Sequence, residues 1–236
     1  MHQLSFPVHY EDEDLLVIHK PAGIHSSQLP SGGGHSIATE LAAAYPNIIH
    51  ASDKPEDAGL VQRLDAQTEG LLIGAKNKTA WIQLSEMLRA GQIEKSYQVI
   101  LEGKLTQNLA VESLIGAKSR RSQKVQVFPL ESKADRALPA STSITPVRYA
   151  DSIMATLATV KASPARRHQV RAHCAYKGFP LVGDSLYGAK TNLQNFFPEI
   201  SAQFFLFAHF LRFRHPTSGT EMNFLLDLPP AIKNIF

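Results

Sequence analysis

With 236 residues, 44% of them hydrophobic and 19% charged, the chain has a composition able to bury a sizeable core, which excludes disordered and fibrous classes. A single cysteine, Cys174, excludes a disulfide within the chain and suits a reducing compartment. The net charge of +3 permits a nucleic-acid partner without demanding one, because an electrostatic footprint depends on how charges cluster.

The first residues, MHQLSFPVHYEDEDLL, lack a basic stretch followed by an apolar one and do not read as a signal peptide. No apolar run approaches the ~20 residues of a membrane span. The expectation is a soluble cytoplasmic protein without membrane association. LLVIHK (15–20) predicts a strand stopped by Pro21 and Gly23. The loop after it carries Gly32 to Gly34 but lacks the GK[ST] ending of a phosphate-binding loop. SIATELAAAYP (36–46) predicts a helix with Ser36 as cap and Pro46 as stop. LLIGA (71–75) predicts a strand, and KTAWIQLSEMLRAG (78–91) a helix with apolar residues at 81, 84, 87 and 88 and Gly91 as its end.

SYQVILEG (96–103) alternates Tyr97, Val99 and Leu101, the pattern of a half-buried strand. LAVESLIG (109–116), KVQVF (124–128), SITPVRY (143–149) and IMATLATV (153–160) read as further strands. SPARRHQVRAHCAYKG (163–178) predicts a helix capped by Ser163, with Pro164 in the first position and Gly178 at its end. The tail from Phe204 to Leu228 returns to β-like alternation. Strands outnumber helices without alternating regularly with them, which points to an α+β fold. No linker rich in Pro, Gly or Ser divides the chain, so a single domain over 1–236 is expected.

Ten histidines are scattered along the sequence. His168 and His173, five apart on the predicted helix, diverge around it, and Cys174 points away from His173, so no metal site is expected. No G-x-S-x-G elbow or G-x-G-x-x-G loop is present. Two cationic segments stand out. Arg166 and Arg167 sit at the predicted helix start, where positive charge opposes the helix dipole and a bound anion would relieve it; a solvated charged turn is the alternative. GAKSRRSQK (116–124) has Lys118, Arg120, Arg121 and Lys124 and no acid, as suits either a phosphate contact or a soluble hairpin tip. In VQRLDAQTEG (61–70), Asp65 is either a turn aspartate or a catalytic carboxylate. The second role requires a cation to keep it ionised, and Arg171, four residues beyond Arg167 and beside the apolar anchor Val170, is the candidate.

Several segments in order resemble the RluA family of RNA pseudouridine synthases. LLVIHKPAGI is similar to that family's strand-plus-KPAG entry, and QRLDAQTEGLLIGAKN to its H-R-L-D-x-x-T-S-G-L-L motif. EKSYQVILEG resembles its K-x-Y strand, and ARRHQVRAHCAYKGFPLVGDSLYG its G-R-x-H-Q-I-R helix and P-x-x-G-D-x-x-Y-G segment. The closing LFAHFLRFRHPTSGTEMNFLLDLPP looks like its final hairpin. The resemblance implies a mixed, mainly antiparallel sheet flanked by helices and loops, with a central RNA-binding cleft and no separate N-terminal RNA-binding domain.

It also implies an isomerase that detaches uracil from its ribose, rotates it and reattaches it through C5, with neither metal nor organic cofactor. The partner would be a tRNA or rRNA stem-loop, bound by a monomer. Asp65 would be the essential carboxylate, Tyr97 would lie against the flipped base, Arg171 would pair with Asp65, and Arg63 would fill the space the uridine vacates. Lys20, Lys118, Arg120, Arg121, Arg166, Arg167, His168 and Gln169 would contact RNA. Flipping costs a few kcal/mol, and stacking worth about 1–3 kcal/mol per base on an aromatic helps offset it. Three departures bear on the substrate: Gln62 replaces the motif's His, T-S-G is T-E-G with Glu69, and Ala165 and Arg167 alter the G-R-x-H-Q segment. They motivate an alternative, an RNA-binding or RNA-folding protein with dispensable catalysis. A hydrolase using Asp65 on a small substrate leaves KPAG and RRHQVR without a purpose.

Overall fold

A computed structural model of the protein describes residues 3–29, 34–119, 122–134 and 136–236. In chain order it contains β1 (Val8–Glu11), β2 (Leu15–Lys20), α1 (Ile37–Ala44), β3 (Glu69–Ala75), α2 (Lys78–Arg89) and β4 (Glu94–Glu102). Then come β5 (Leu109–Gly116), β6 (Gln126–Phe128), β7 (Leu138–Ala150), β8 (Ala155–Ser163), α3 (Gln169–Tyr176), β9 (Leu206–Arg214), β10 (Glu221–Leu225) and α4 (Pro230–Ile235). The expected α+β class holds, and the chain forms two compact units: Met1–Glu94 with Ala208–Leu226, and Lys95–Phe207 with Asp227–Phe236.

In the first unit β2 pairs antiparallel with both β1 and β3, in a register that sets Lys20 opposite Gly70. Leu15 to Ile18 are fully buried, so both faces of β2 are covered and its sequence reads as a continuous apolar run rather than an alternation. The predicted cap of α1 is present: Ser36 Oγ accepts the Thr39 N–H at 3.1 Å, and Thr39 Oγ1 accepts the Ser36 N–H at 3.0 Å. Pro46 ends α1 and opens a short 3-10 turn. Ile37, Ala38 and Leu41 of α1 join Phe6, Leu16, Ile18, Ile48, Leu60 and Leu72 in one core. Each fully buried Leu or Ile there contributes roughly 1.5–3 kcal/mol.

β9 follows β3 in the sheet order and forms an antiparallel hairpin with β10. Gly70 lies where β3 meets β9. Its φ is +128°, and a Cβ there would stand 2.3 Å from the Ala208 carbonyl oxygen, so only glycine fits after Glu69.

In the second unit the strand order is β4-β8-β7-β5-β6, with every neighbouring pair antiparallel. The half-buried reading of β4 is corrected: Ser96, Tyr97, Val99, Ile100 and Leu101 are all buried, on both faces. Ala172 of α3 packs on Ile115, Val125 and Ala140. His173 is fully buried, hydrogen-bonded to Ser113 Oγ at 2.9 Å and Thr142 Oγ1 at 2.8 Å. The helix expected over 163–178 is also corrected. Ser163 is the last residue of β8, paired with Ser141, and α3 begins only at Gln169. A strand ladder supplied by β7 outcompetes the local signal of a Ser-Pro helix start.

Candidate active site

The residues expected to act together fall in both units, and each group is built locally. In the first unit the loop carrying Asp65 is tied to its surroundings almost atom by atom. Val61 N–H donates to Ile73 O at 3.0 Å, Leu64 exchanges two hydrogen bonds with the Ser26 hydroxyl, and Thr68 N–H donates to Asp65 O at 3.0 Å. Gly23 N–H, from the KPAG turn, donates to Ala66 O at 2.8 Å.

Lys20 completes this frame. Its side chain is fully buried, and Nζ donates to Pro21 O at 2.9 Å, Ala66 O at 2.9 Å and Thr68 O at 2.8 Å. Three carbonyls use its three N–H groups, so the expected phosphate contact is corrected: Lys20 staples the Asp65 loop to β2. Burial pushes its pKa down to about 8, against the opposing pull of the Asp65 and Glu69 charges.

Glu69, which departs from the T-S-G motif, reaches His19 Nε2 at 2.9 Å and is partly exposed. Arg63 is exposed. Gln62 is only 9% exposed, and its Oε1 has no hydrogen-bond partner.

In the second unit Tyr97 projects from β4 opposite Val160 and is buried. Arg171, on α3, meets a partner that the sequence reading left out. Asp184 takes Arg171 Nε at 2.7 Å and Nη2 at 2.8 Å, a two-pronged ion pair with a fully buried carboxylate. The guanidinium also lies 4.3 Å from the Phe204 ring centroid and 5.0 Å from that of Tyr187. Gly183 positions Asp184: φ is +89°, and a Cβ would stand 2.0 Å from the Gln203 carbonyl oxygen. The GDSLYG stretch was the signal available in the sequence for both Asp184 and Tyr187.

The remaining RNA-contact candidates divide. Gln169 is buried, donating to Ser141 O at 2.8 Å and Thr142 Oγ1 at 3.0 Å and accepting the Arg166 N–H at 2.9 Å; it is a brace, which corrects its expected RNA role. Arg167 precedes α3 rather than lying in its first turn, and its guanidinium donates to Ser122 O at 3.2 Å and Gln123 O at 2.7 Å. It therefore ties down the cationic loop instead of sharing a helix face with Arg171. His168 Nδ1 lies 3.1 Å from the Tyr187 hydroxyl, which accepts the Val125 N–H at 2.9 Å. Burial, with Arg171 and Arg167 adding to it, lowers the His168 pKa to about 3, so its ring is neutral. Lys118 is exposed, while Arg120 and Arg121 lie outside the described residues. Among the described residues no three His, Cys, Asp or Glu side chains gather to hold a metal ion, and no helix is long and apolar enough to cross a membrane.

Residues 14–176 match the sequence model of a family described as RNA pseudouridylate synthase. The ribosomal large subunit pseudouridine synthase D of Pseudomonas aeruginosa is 30% identical, over 96% of this chain and 69% of its own length. The protein of the same name from Yersinia pestis is 32% identical, over 96% and 68%. Among solved structures, human RNA pseudouridylate synthase domain containing 1 superposes with a TM-score of 0.72 at 20% identity, covering 95% of this chain and 84% of that one. It shares the fold.

Proposed function

Because the chain belongs to the RNA pseudouridylate synthase family, we propose that it modifies ribosomal RNA and that Asp65 is the carboxylate its reaction requires. The protein is an isomerase acting on RNA uridine. The C1′–N1 glycosidic bond breaks, the uracil turns, C1′ bonds to C5, N1 gains a proton and C5 loses one. Atoms and electrons balance within the nucleotide, so no co-reactant is consumed.

The observation that carries the assignment to Asp65 is the investment in its loop. A fully buried lysine, the Ser26 hydroxyl and the KPAG turn hold residues 61–68 in one conformation, as a positioned reacting group demands. Tyr97 serves as the surface for the flipped base and Arg171 as a cation held ready by Asp184. Ribosomal RNA is favoured over tRNA by the names of the two relatives above. Residence in the cytoplasm and a monomeric state belong to the same proposal. The test incubates the protein with large-subunit rRNA fragments and with bulk tRNA lacking the modification, then maps pseudouridine. Product in the rRNA alone supports the full reading and product in tRNA alone replaces the substrate; RNA bound without modification would favour the RNA-folding alternative.

A further inference from the structure

Within the second unit, β6 and the residues just before it face α3 across an open groove of about 350 Å³. Phe128, Tyr176 and Tyr187 supply three aromatic rings to its lining, alongside Val127, Ala172 and Lys124. Tyr176 is 54% exposed and Phe128 half-buried, so these rings present surface to solvent instead of disappearing into a core. The strand side of the groove is tied to the segments that flank α3. Arg167 donates to Ser122 O and Gln123 O, and the Tyr187 hydroxyl accepts the Val125 N–H at 2.9 Å. A groove whose walls are already fastened costs less to fill than one that must order on binding.

Charge selects the occupant. Lys124 lines the groove, Lys177 follows Tyr176 and is exposed, and the exposed Lys118 and Arg167 belong to the loop before β6 and to the segment that ties it down. None of the described lining residues is acidic. Aromatic rings among cations match a nucleobase with its phosphate: the base stacks on a ring and the phosphate meets an ammonium. Size agrees, because small-ligand pockets begin at about 300 Å³, whereas a stable protein partner engages about 20–30 residues a side. Nine residues line this groove. Tyr187 also joins the groove to the candidate site, since its ring centroid lies 5.0 Å from the Arg171 guanidinium. RNA that brings a uridine to Arg171 thus has a neighbouring nucleotide at the groove.

We propose that the β6–α3 groove is a subsite for an unpaired nucleotide neighbouring the target uridine, its base against Tyr176 and Phe128 and its phosphate on Lys124. This rests on the synthase reading and adds to it a contact that holds the RNA strand beside the reacting nucleotide.

The test measures binding of a large-subunit rRNA stem-loop in an Asp65→Asn background, with turnover read in the otherwise wild-type chain. Tyr176→Ala removes a ring at an exposed position, and Tyr176→Phe keeps its face. Tyr176→Ala is expected to raise Kd about 5- to 100-fold, the range of one stacked base, and Tyr176→Phe to stay within about 2-fold of the parent. The lost turnover should fall on KM rather than kcat, because the contact lies away from the reacting atoms. Lys124→Gln should lower the slope of log Kd against log salt by about 0.7–0.9, as for one phosphate. With 4-thiouridine placed in turn at each loop position of the RNA, irradiation should crosslink a position other than the target to Tyr176 or Phe128. Equal losses for Tyr176→Ala and Tyr176→Phe, or crosslinks that miss the groove, would overturn the proposal. Unchanged RNA affinity of Tyr176→Ala would do the same, and altered self-association in sedimentation would then make the groove a protein contact. Absence of product from the wild type would count against the synthase reading, while the crosslinks and the Kd comparison would still decide whether the groove takes a nucleotide.

Discussion

Lys20 carries its ammonium into the protein and spends all three N–H groups on backbone carbonyls. Replacing it with Met leaves those oxygens without a donor, at about 1–3 kcal/mol for each that water cannot reach. Lys20→Met should therefore lose about 3 kcal/mol, a fall in Tm of about 6–12 °C, and an unfolding midpoint equal to wild type would refute the staple. The pH dependence has a definite sign. The folded-state pKa, about 8, lies below the ordinary lysine value of 10.5, so between these limits the unfolded chain binds more protons. Wild type should thus gain stability relative to Lys20→Met as pH rises from 8 to 10.5 in urea titrations.

Asp184 makes the second case at this scale. Asp184→Asn leaves the Arg171 guanidinium buried beside a neutral amide, and a loss of about 3–5 kcal/mol is expected on chemical unfolding. A loss below 1 kcal/mol would mean the pair does not hold Arg171. Asp65 was legible in the sequence because a local motif surrounds it. Lys20 was misread because LLVIHK does not disclose that the strand is covered on both faces. Asp184 was missed because a pair 13 residues apart appears only when a turn brings it together.

At the scale of elements, most boundaries followed from local chemistry. Ser36 caps α1, Pro46 stops it, and LAVESLIG is β5 residue for residue. The failure at 163–178 has a single cause: Ser163 finds a ladder partner in Ser141, and pairing with β7 carries the strand through what reads locally as a helix cap. α3 is then fastened by buried polar side chains instead. Burial, with the charge of Lys177 adding to it, lowers the His173 pKa to about 4. The unfolded chain protonates near 6.5, so the contribution of neutral His173 is complete above that pH and is lost as pH falls toward 4. His173→Asn should flatten the decline in stability between pH 6.5 and 4 in denaturant titrations. A slope identical to wild type would show that His173 is not held neutral.

At the scale of the molecule, the sheet provides two separate frames, one for the Asp65 loop and one for Tyr97 and Arg171. The order of the motifs along the chain made the family legible before any geometry, since LLVIHKPAGI, QRLDAQTEG, EKSYQ and RRHQVR follow one another over most of its length. What the order does not convey is which polar residues brace the fold, as Gln169 and His173 do through buried hydrogen bonds to Ser141, Thr142 and Ser113. The central claim is that Asp65 performs the chemistry while the surrounding frame only positions it. The direct measurement is pseudouridine formed per enzyme in an unmodified large-subunit rRNA stem-loop, for wild type and Asp65→Asn with matched Tm and RNA affinity. The account predicts product from wild type and a rate at least ~10³-fold lower from Asp65→Asn, as expected when an indispensable reacting group is removed. Conversion by Asp65→Asn at the wild-type rate would contradict it.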